Sequence, residues 1–296
     1  MGVVTCILEI LTLTAIATFV KFLSPNVSIV TILFFRYVFC LPILFTVGLS
    51  QRGKFFLHIN KKKTLIARII IGITGLTSYF IAISLIGIGK TIALGQLVTI
   101  FITIMAPIML YEKVELKRWF AVIFGLLGSI IIIDPEKSGW LNFGIFWGLN
   151  SAFFAALLNI YLRKLGNYDE PISTALWYNI SGAIILTLAF IISREEIPQN
   201  LSTLSILICC GLLSSIQQFL LAFSRSLAPA VILAPFQYLS IPFAYIVGIY
   251  IFDEDLGLNF IIGTLIIILA TFYLNLKTKL NEAAATPTTA EGMPWS

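Results

Sequence analysis

KTIALGQLVTIFITIMAPIMLYEKVELKRWFAVIFGLLGSIIII, residues 90–133, is an apolar span, a short charged break and a second apolar span. The pattern returns about 141 places later. In that register Ala93, Gln96, Ile100 and Ile108 fall on Ala234, Gln237, Ile241 and Ile249, Thr99 falls on Ser240, Tyr111 on Phe252 and Glu112 on Asp253. Apolar helices match one another cheaply, so the identities alone carry little. An amide inside each span, in step with an acid at each span's end, carries more. Two related halves made of hydrophobic spans point to a transporter built from structural repeats.

The rest of the chain has the composition such a bundle needs. Residues of the class AVILMFWYC make up 59% of the 296, only 11% are charged, and the mean hydropathy is +1.00. A soluble domain needs more polar surface than that. Runs such as 261–274 are apolar on every face, which excludes the alternating pattern of a transmembrane β-barrel. A membrane helix takes roughly 20 apolar residues. The sequence predicts an all-α membrane protein of about ten transmembrane helices, arranged as two inverted five-helix repeats. The expected spans are 3–22, 27–49, 64–85, 91–110 and 119–133, then 141–162, 173–192, 203–224, 231–251 and 258–276. The first repeat is placed at 1–134 and the second at 141–277, joined by the proline- and glycine-bearing hinge DPEKSGW at 134–140. Residues 278–296 are read as a disordered tail, small and polar toward the end. The amino terminus has no basic region and no small-residue cleavage pattern, so it is read as a retained first helix.

The net charge of +5 is scattered over short loops and not gathered with aromatics on one surface, which excludes nucleic acid as a partner. It reads instead as topology, because Lys and Arg are kept on the cytoplasmic side. With both termini inside, the inner segments hold Arg52, Lys54, Lys61, Lys62, Lys63, Lys113, Lys117, Arg118, Arg163, Lys164, Lys277 and Lys279. The outer segments hold Lys90, Lys137 and Arg194. The expected location is the inner membrane of a bacterium. Cys6, Cys40, Cys209 and Cys210 lie within spans and His58 lies in a basic loop, so no metal site, cofactor or catalytic residue is expected.

An ionisable side chain within hydrocarbon needs a partner, a water-filled cavity or a route to the interface. Glu9 and Arg36 lie too deep for easy escape, whereas Lys21 can snorkel and Arg68 and Arg225 are expected at the interface. Glu9 is a candidate proton or cation site, and Arg36 either anchors a substrate anion or clamps helices. The candidate substrate-binding set is Glu9, Arg36, Tyr79, Gln96, Thr99, Trp147, Asn150, Tyr178, Gln217, Gln218, Gln237 and Tyr238, with Asn159, Asn179 and Trp177 as further polar or aromatic positions. Amides near mid-membrane in both halves suit a zwitterion or a polar, hydrogen-bonding solute, although interhelical bonding uses the same residue types. Gly144, Gly148, Ala152 and Ala156 form a smooth stripe for close packing, as do Gly125, Gly128 and Ser129. Pro235 and Pro242 interrupt the ninth span and mark hinges.

Phe34-Phe35-Arg36-Tyr37, a small-residue-rich fourth span ending in Tyr111-Glu112, and Ala234-Pro235-Phe236-Gln237-Tyr238-Leu239 followed by Phe252-Asp253-Glu254 resemble the EamA branch of the drug/metabolite transporter superfamily, over about residues 1–277. The resemblance implies a ten-helix bundle with a central cavity between its halves, moving small metabolites by alternating access. Members include amino-acid exporters and S-adenosylmethionine uptake carriers; Gln237 stands where a basic residue is expected in the latter. The expected function is a secondary transporter for small polar metabolites, amino acids or their derivatives first and S-adenosylmethionine among them. Its partners are a small-molecule substrate and the lipid bilayer, with a possible homodimer. A multidrug exporter for lipophilic cations, an intramembrane enzyme and a non-transporting scaffold are the alternatives.

Overall fold

In the computed structural model, residues 2–110, 116–133, 142–166, 168–227 and 236–285 are described, and they form ten α-helices with no strand among them. In chain order these are α1 (Gly2–Leu23), α2 (Ile29–Arg52), α3 (Lys62–Gly95), α4 (Val98–Leu110), α5 (Leu116–Ile133), α6 (Phe143–Gly166), α7 (Pro171–Ile192), α8 (Leu201–Leu227), α9 (Ser240–Phe252) and α10 (Leu258–Ala285). Glu112, Pro235 and the 134–140 hinge lie outside the described residues, as does 286–296. The last helix runs to Ala285, past the expected end of its span.

The surface inverts that of a soluble protein. Phe120, Phe124, Ile192 and Leu258 are 60%, 56%, 79% and 74% exposed, while Arg36, Arg68 and Asn179 are buried. Lipid covers such a face at no hydrophobic cost, so helix association rests on van der Waals contact and interhelical hydrogen bonds. The small-residue stripes supply that contact. Gly144 and Gly148 lie against Leu85, Ile86 and Leu94 of α3, with Ala152 and Ala156 buried behind them. A Cβ on Gly128 of α5 would come 2.8 Å from the carbonyl oxygen of Gly263 on α10, so the two backbones meet where only glycines fit.

The principal pairings are α3 with α6, α5 with α10, α1 with α8, and α2 with both α7 and α8. Replacing each helix by the one five places on turns the α1–α8 pair into α6–α3 and leaves α2–α7 and α5–α10 unchanged. That is the pattern of a two-fold axis between halves. Because five helices per half is an odd number, the halves run through the membrane in opposite senses. Hydrogen bonds tie α2 to the second half at both ends: Arg52 Nη1 donates to Ser173 Oγ (3.0 Å), and Thr31 Oγ1 donates to Glu195 Oε2 (3.3 Å).

The fourth span, expected as one helix over 91–110, is broken. Gly87, at φ 86 and ψ 175, divides α3 at the expected gap between the third and fourth spans, and the fourth span's first part is the short helix that ends at Gly95. A turn at Gln96 and Leu97 follows before α4 begins. The ninth span has a matching turn at Tyr238 and Leu239, just before α9. α4 and α9 are 13 residues each. At 1.5 Å per residue each is about 20 Å long, short of the roughly 30 Å hydrocarbon core.

Candidate functional site

Two polar centres lie inside the bundle. The first is built by α2, α3, α7 and α8. On α2, Arg36 is 6% exposed, and its Nη1 donates to Asn179 Oδ1 on α7 at 3.4 Å. The Asn179 amide is held by a reciprocal pair with Gln218 of α8, each side chain donating to the other at 3.3 Å, and by donation to Ala175 O at 2.8 Å. Those bonds turn the Asn179 carbonyl toward the guanidinium. The Arg36 guanidinium also lies 4.4 Å from the Tyr37 ring centre and 5.9 Å from that of Tyr178.

Arg68, expected at the interface, is instead buried, at 7% exposed. Its guanidinium stacks 4.7 Å from the Tyr178 ring centre. Its Nε and Nη1 have no hydrogen-bond partner among the described residues. The hydroxyls of Tyr37 and Tyr178 bond each other at 2.7 Å, and that of Tyr178 reaches Gly72 O at 3.3 Å. Gly72 and Gly182 admit the two rings: a Cβ on Gly72 would come 2.7 Å from Tyr178, and one on Gly182 would overlap Tyr37. Two guanidinium groups therefore lie beside one aromatic ring, 5.9 and 4.7 Å from its centre; Arg36 has exchanged water for ring faces and a neutral amide, Arg68 for a ring face alone.

The second centre is where the broken spans meet. Gln96, in the turn before α4, donates through Nε2 to Ser240 Oγ at the start of α9 (3.2 Å). Ser240 Oγ in turn donates to Gln237 O at 2.7 Å. Gln96, in one turn, and the backbone carbonyl of Gln237, just before the other, thus share one hydroxyl. Backbone freed by such turns is tolerated at membrane depth only where protein or cavity water satisfies it.

The remaining candidates are distributed around these centres. Glu9 is buried on α1, the helix that packs against α8 and α9. Thr99 is half-buried in the first turn of α4, and Tyr238 is half-buried in the turn before α9. The hydroxyl of Tyr79 on α3 and Nε1 of Trp147 on α6 are buried without partners among the described residues. Asn150 and Gln217 are half-buried. Of the candidate set, the first centre gathers Arg36, Tyr178 and Gln218, and the second gathers Gln96, Gln237 and Tyr238. Trp147 and Asn150 are on α6, outside both.

Arg68, Tyr37 and Ser240 complete the centres and were not among the candidates. Arg68 lies four residues into the expected span 64–85, close behind Lys61, Lys62 and Lys63, so its charge reads as interfacial. A helix that carries it two turns inward changes that reading.

The model of the EamA-like transporter family matches residues 1–134 and 142–276. An uncharacterized transporter of Helicobacter pylori is 25% identical over 226 residues, covering 74% of this chain and 76% of that one. A protein named riboflavin transporter from Vibrio cholerae is 24% identical over 86% of this chain and 84% of its own. A protein named S-adenosylmethionine uptake transporter from Rickettsia bellii is 25% identical over 86% of each. A solved crystal structure superposes with a TM-score of 0.67 over 95% of this chain and 97% of that one at 13% identity, which establishes a shared fold.

Proposed function

Because this chain belongs to the EamA-like transporter family, a family of carriers and not of enzymes, we propose that it is a secondary transporter moving small polar metabolites across the bacterial inner membrane by alternating access. The observation that carries the proposal is the meeting of the two broken spans. Corresponding turns at Gln96–Leu97 and at Tyr238–Leu239 are joined by the Gln96–Ser240 bond. A pair of discontinuous helices in corresponding places of two inverted halves, meeting at the repeat interface, is where carriers of this architecture place their substrate. With the halves at 1–134 and 141–277 and both termini cytoplasmic, each half reproduces the other's conformation as access changes sides.

The relatives' names supply the first solutes to try, riboflavin and S-adenosylmethionine, with amino acids as the third class. The two arginines at Tyr178 weigh against the rival reading, a multidrug exporter for lipophilic cations, since a cation entering that centre meets like charge. The test is uptake of labelled riboflavin, S-adenosylmethionine and an amino-acid mixture into liposomes holding the purified protein. Saturable, time-dependent uptake that unlabelled solute competes away is expected for at least one class. Chemical conversion of the solute, or inert liposomes across all three classes, counts against the proposal.

A further inference from the structure

Arg68 is a buried cation with nothing to pay for it on its own side of the bundle. Among the described residues neither it nor Arg36 meets a carboxylate within salt-bridge distance, and Arg68 lies only against the face of Tyr178, 4.7 Å from its centre. Arg36 has one long bond to a neutral amide. A guanidinium carries five N–H donors in a fixed plane; among the described residues Arg36 Nη1 alone has an acceptor, and Arg68 Nε and Nη1 are buried without one. The tyrosine hydroxyls bond each other and Gly72 O and, among the described residues, neither guanidinium. Burying two like charges around one ring and leaving their donors open is unfavourable in a resting helix bundle. Such an arrangement persists where a bound group of opposite charge completes it, and arginine is the residue suited to planar, bidentate oxyanions.

We propose that Arg68 and Arg36, both beside Tyr178, form an oxyanion site, and that the carried solute enters it with a carboxylate or phosphate group foremost. This rests on the transporter reading above and names the chemical class of its substrate: an organic anion, or a zwitterion held by its acid end. Tyr37 and Tyr178 supply the ring faces that hold the guanidinium planes, and the Asn179–Gln218 pair sets the orientation of Arg36. The same chemistry is available from a phospholipid headgroup. Position favours the solute: Arg68 lies six residues beyond Lys62, roughly 9 Å along the helix, and is 7% exposed, whereas Lys61, Lys62 and Lys63 stand exposed at the surface where headgroups lie.

The test uses the full-length protein in neutral detergent and matched solutes that differ only in the acid: glutamate against glutamine, succinate against succinamide, and flavin mononucleotide against riboflavin. Thermal unfolding and equilibrium binding are followed for each. At least one acid should bind wild type about tenfold or more tightly than its neutral partner. Arg68→Gln should erase that preference, and Arg68→Lys should restore part of it. With no ligand present, Arg68→Gln should unfold at the same temperature as wild type or higher, because it removes an uncompensated charge. A purely structural arginine would give the reverse. Equal binding of acid and neutral members, an acid preference that survives Arg68→Gln, or stabilisation by phosphatidylglycerol with none by any acid would each overturn the site. A protein that transports a neutral solute without acid preference loses this inference and keeps the transporter reading. One that binds acids but moves nothing does the opposite.

Discussion

The carboxylate of Glu254 occupies the space that a side chain on Gly87 would need. The amide of Ile88 donates to Glu254 Oε1 at 2.6 Å and that of Gly89 to Oε2 at 3.0 Å, so an acid from the second half caps the short helix in the first. Gly87 holds φ 86 and ψ 175, a region of backbone space open essentially to glycine, and a Cβ there would overlap the carboxylate. Gly87→Ala should therefore both strain the backbone, by about 1–3 kcal/mol, and expel the cap. Its apparent melting temperature in detergent should fall further than that of Glu254→Gln, which keeps one acceptor oxygen. If the two variants melt alike, the close approach of the carboxylate to Gly87 contributes nothing beyond the cap itself.

Asn179 serves Arg36 only through its orientation, which the Gln218 amide fixes. Replacing Asn179 by Leu, similar in size, leaves a buried arginine with no neutral acceptor and should destabilise the protein by about 1–3 kcal/mol. Gln218→Leu should cost less, since Asn179 retains its bond to Ala175 O. Thermal unfolding of the two single variants and the double gives the coupling between them. Strict additivity would mean that the amide pair does not act as a unit.

The ten helices were legible because apolar runs of membrane length leave few alternatives, and because Gln96 and Gln237 kept step across the repeat. The breaks were less so. Pro235 announced one, and Gly87 falls in the expected gap between the spans 64–85 and 91–110, but the Gln96–Leu97 turn sits in an unbroken apolar run with no proline to mark it. Asp253 was the acid placed in register with Glu112; Glu254, one residue on, is the one whose carboxylate crosses to the other half. A register counted along the chain does not say which of two neighbouring acids a left-handed turn at Asp253 (φ 50) will point inward. Arg36 was found by its depth. Arg68 was not, because its place near the start of α3 reads as interfacial and only the packing of Tyr178 from another helix buries it.

The orientation rests on the distribution of Lys and Arg, and labelling tests it directly. In a background with the four native cysteines replaced, a cysteine at Lys62 should react with a membrane-impermeant thiol reagent only in opened cells. One at Lys137 should react in intact cells. The reverse pattern would place both termini outside and invert every inner and outer assignment, while leaving the fold and the pairing of halves untouched.

Gln96 and Ser240 hold the two turns together, so their bond is the one expected to change as access switches sides. Ser240 is 7% exposed and Thr99, its partner in the repeat register, is half-buried in the first turn of α4. Because the halves run in opposite senses, cysteines at these two positions should be reached by aqueous reagent from opposite faces of the membrane. A transported solute should alter both rates. Gln96→Ala removes the only side-chain donor that joins the turns among the described residues. That loss should cost about 1 kcal/mol or less in stability, since interhelical hydrogen bonds in membranes average roughly 0.6 kcal/mol. Its larger effect should be on the balance between the two facing states, read as a change in the ratio of the two labelling rates. If Thr99→Cys and Ser240→Cys stay inert from both sides, with and without riboflavin, S-adenosylmethionine or an amino acid present, these turns lie off the transport path and the Gln96–Ser240 bond is helix packing alone.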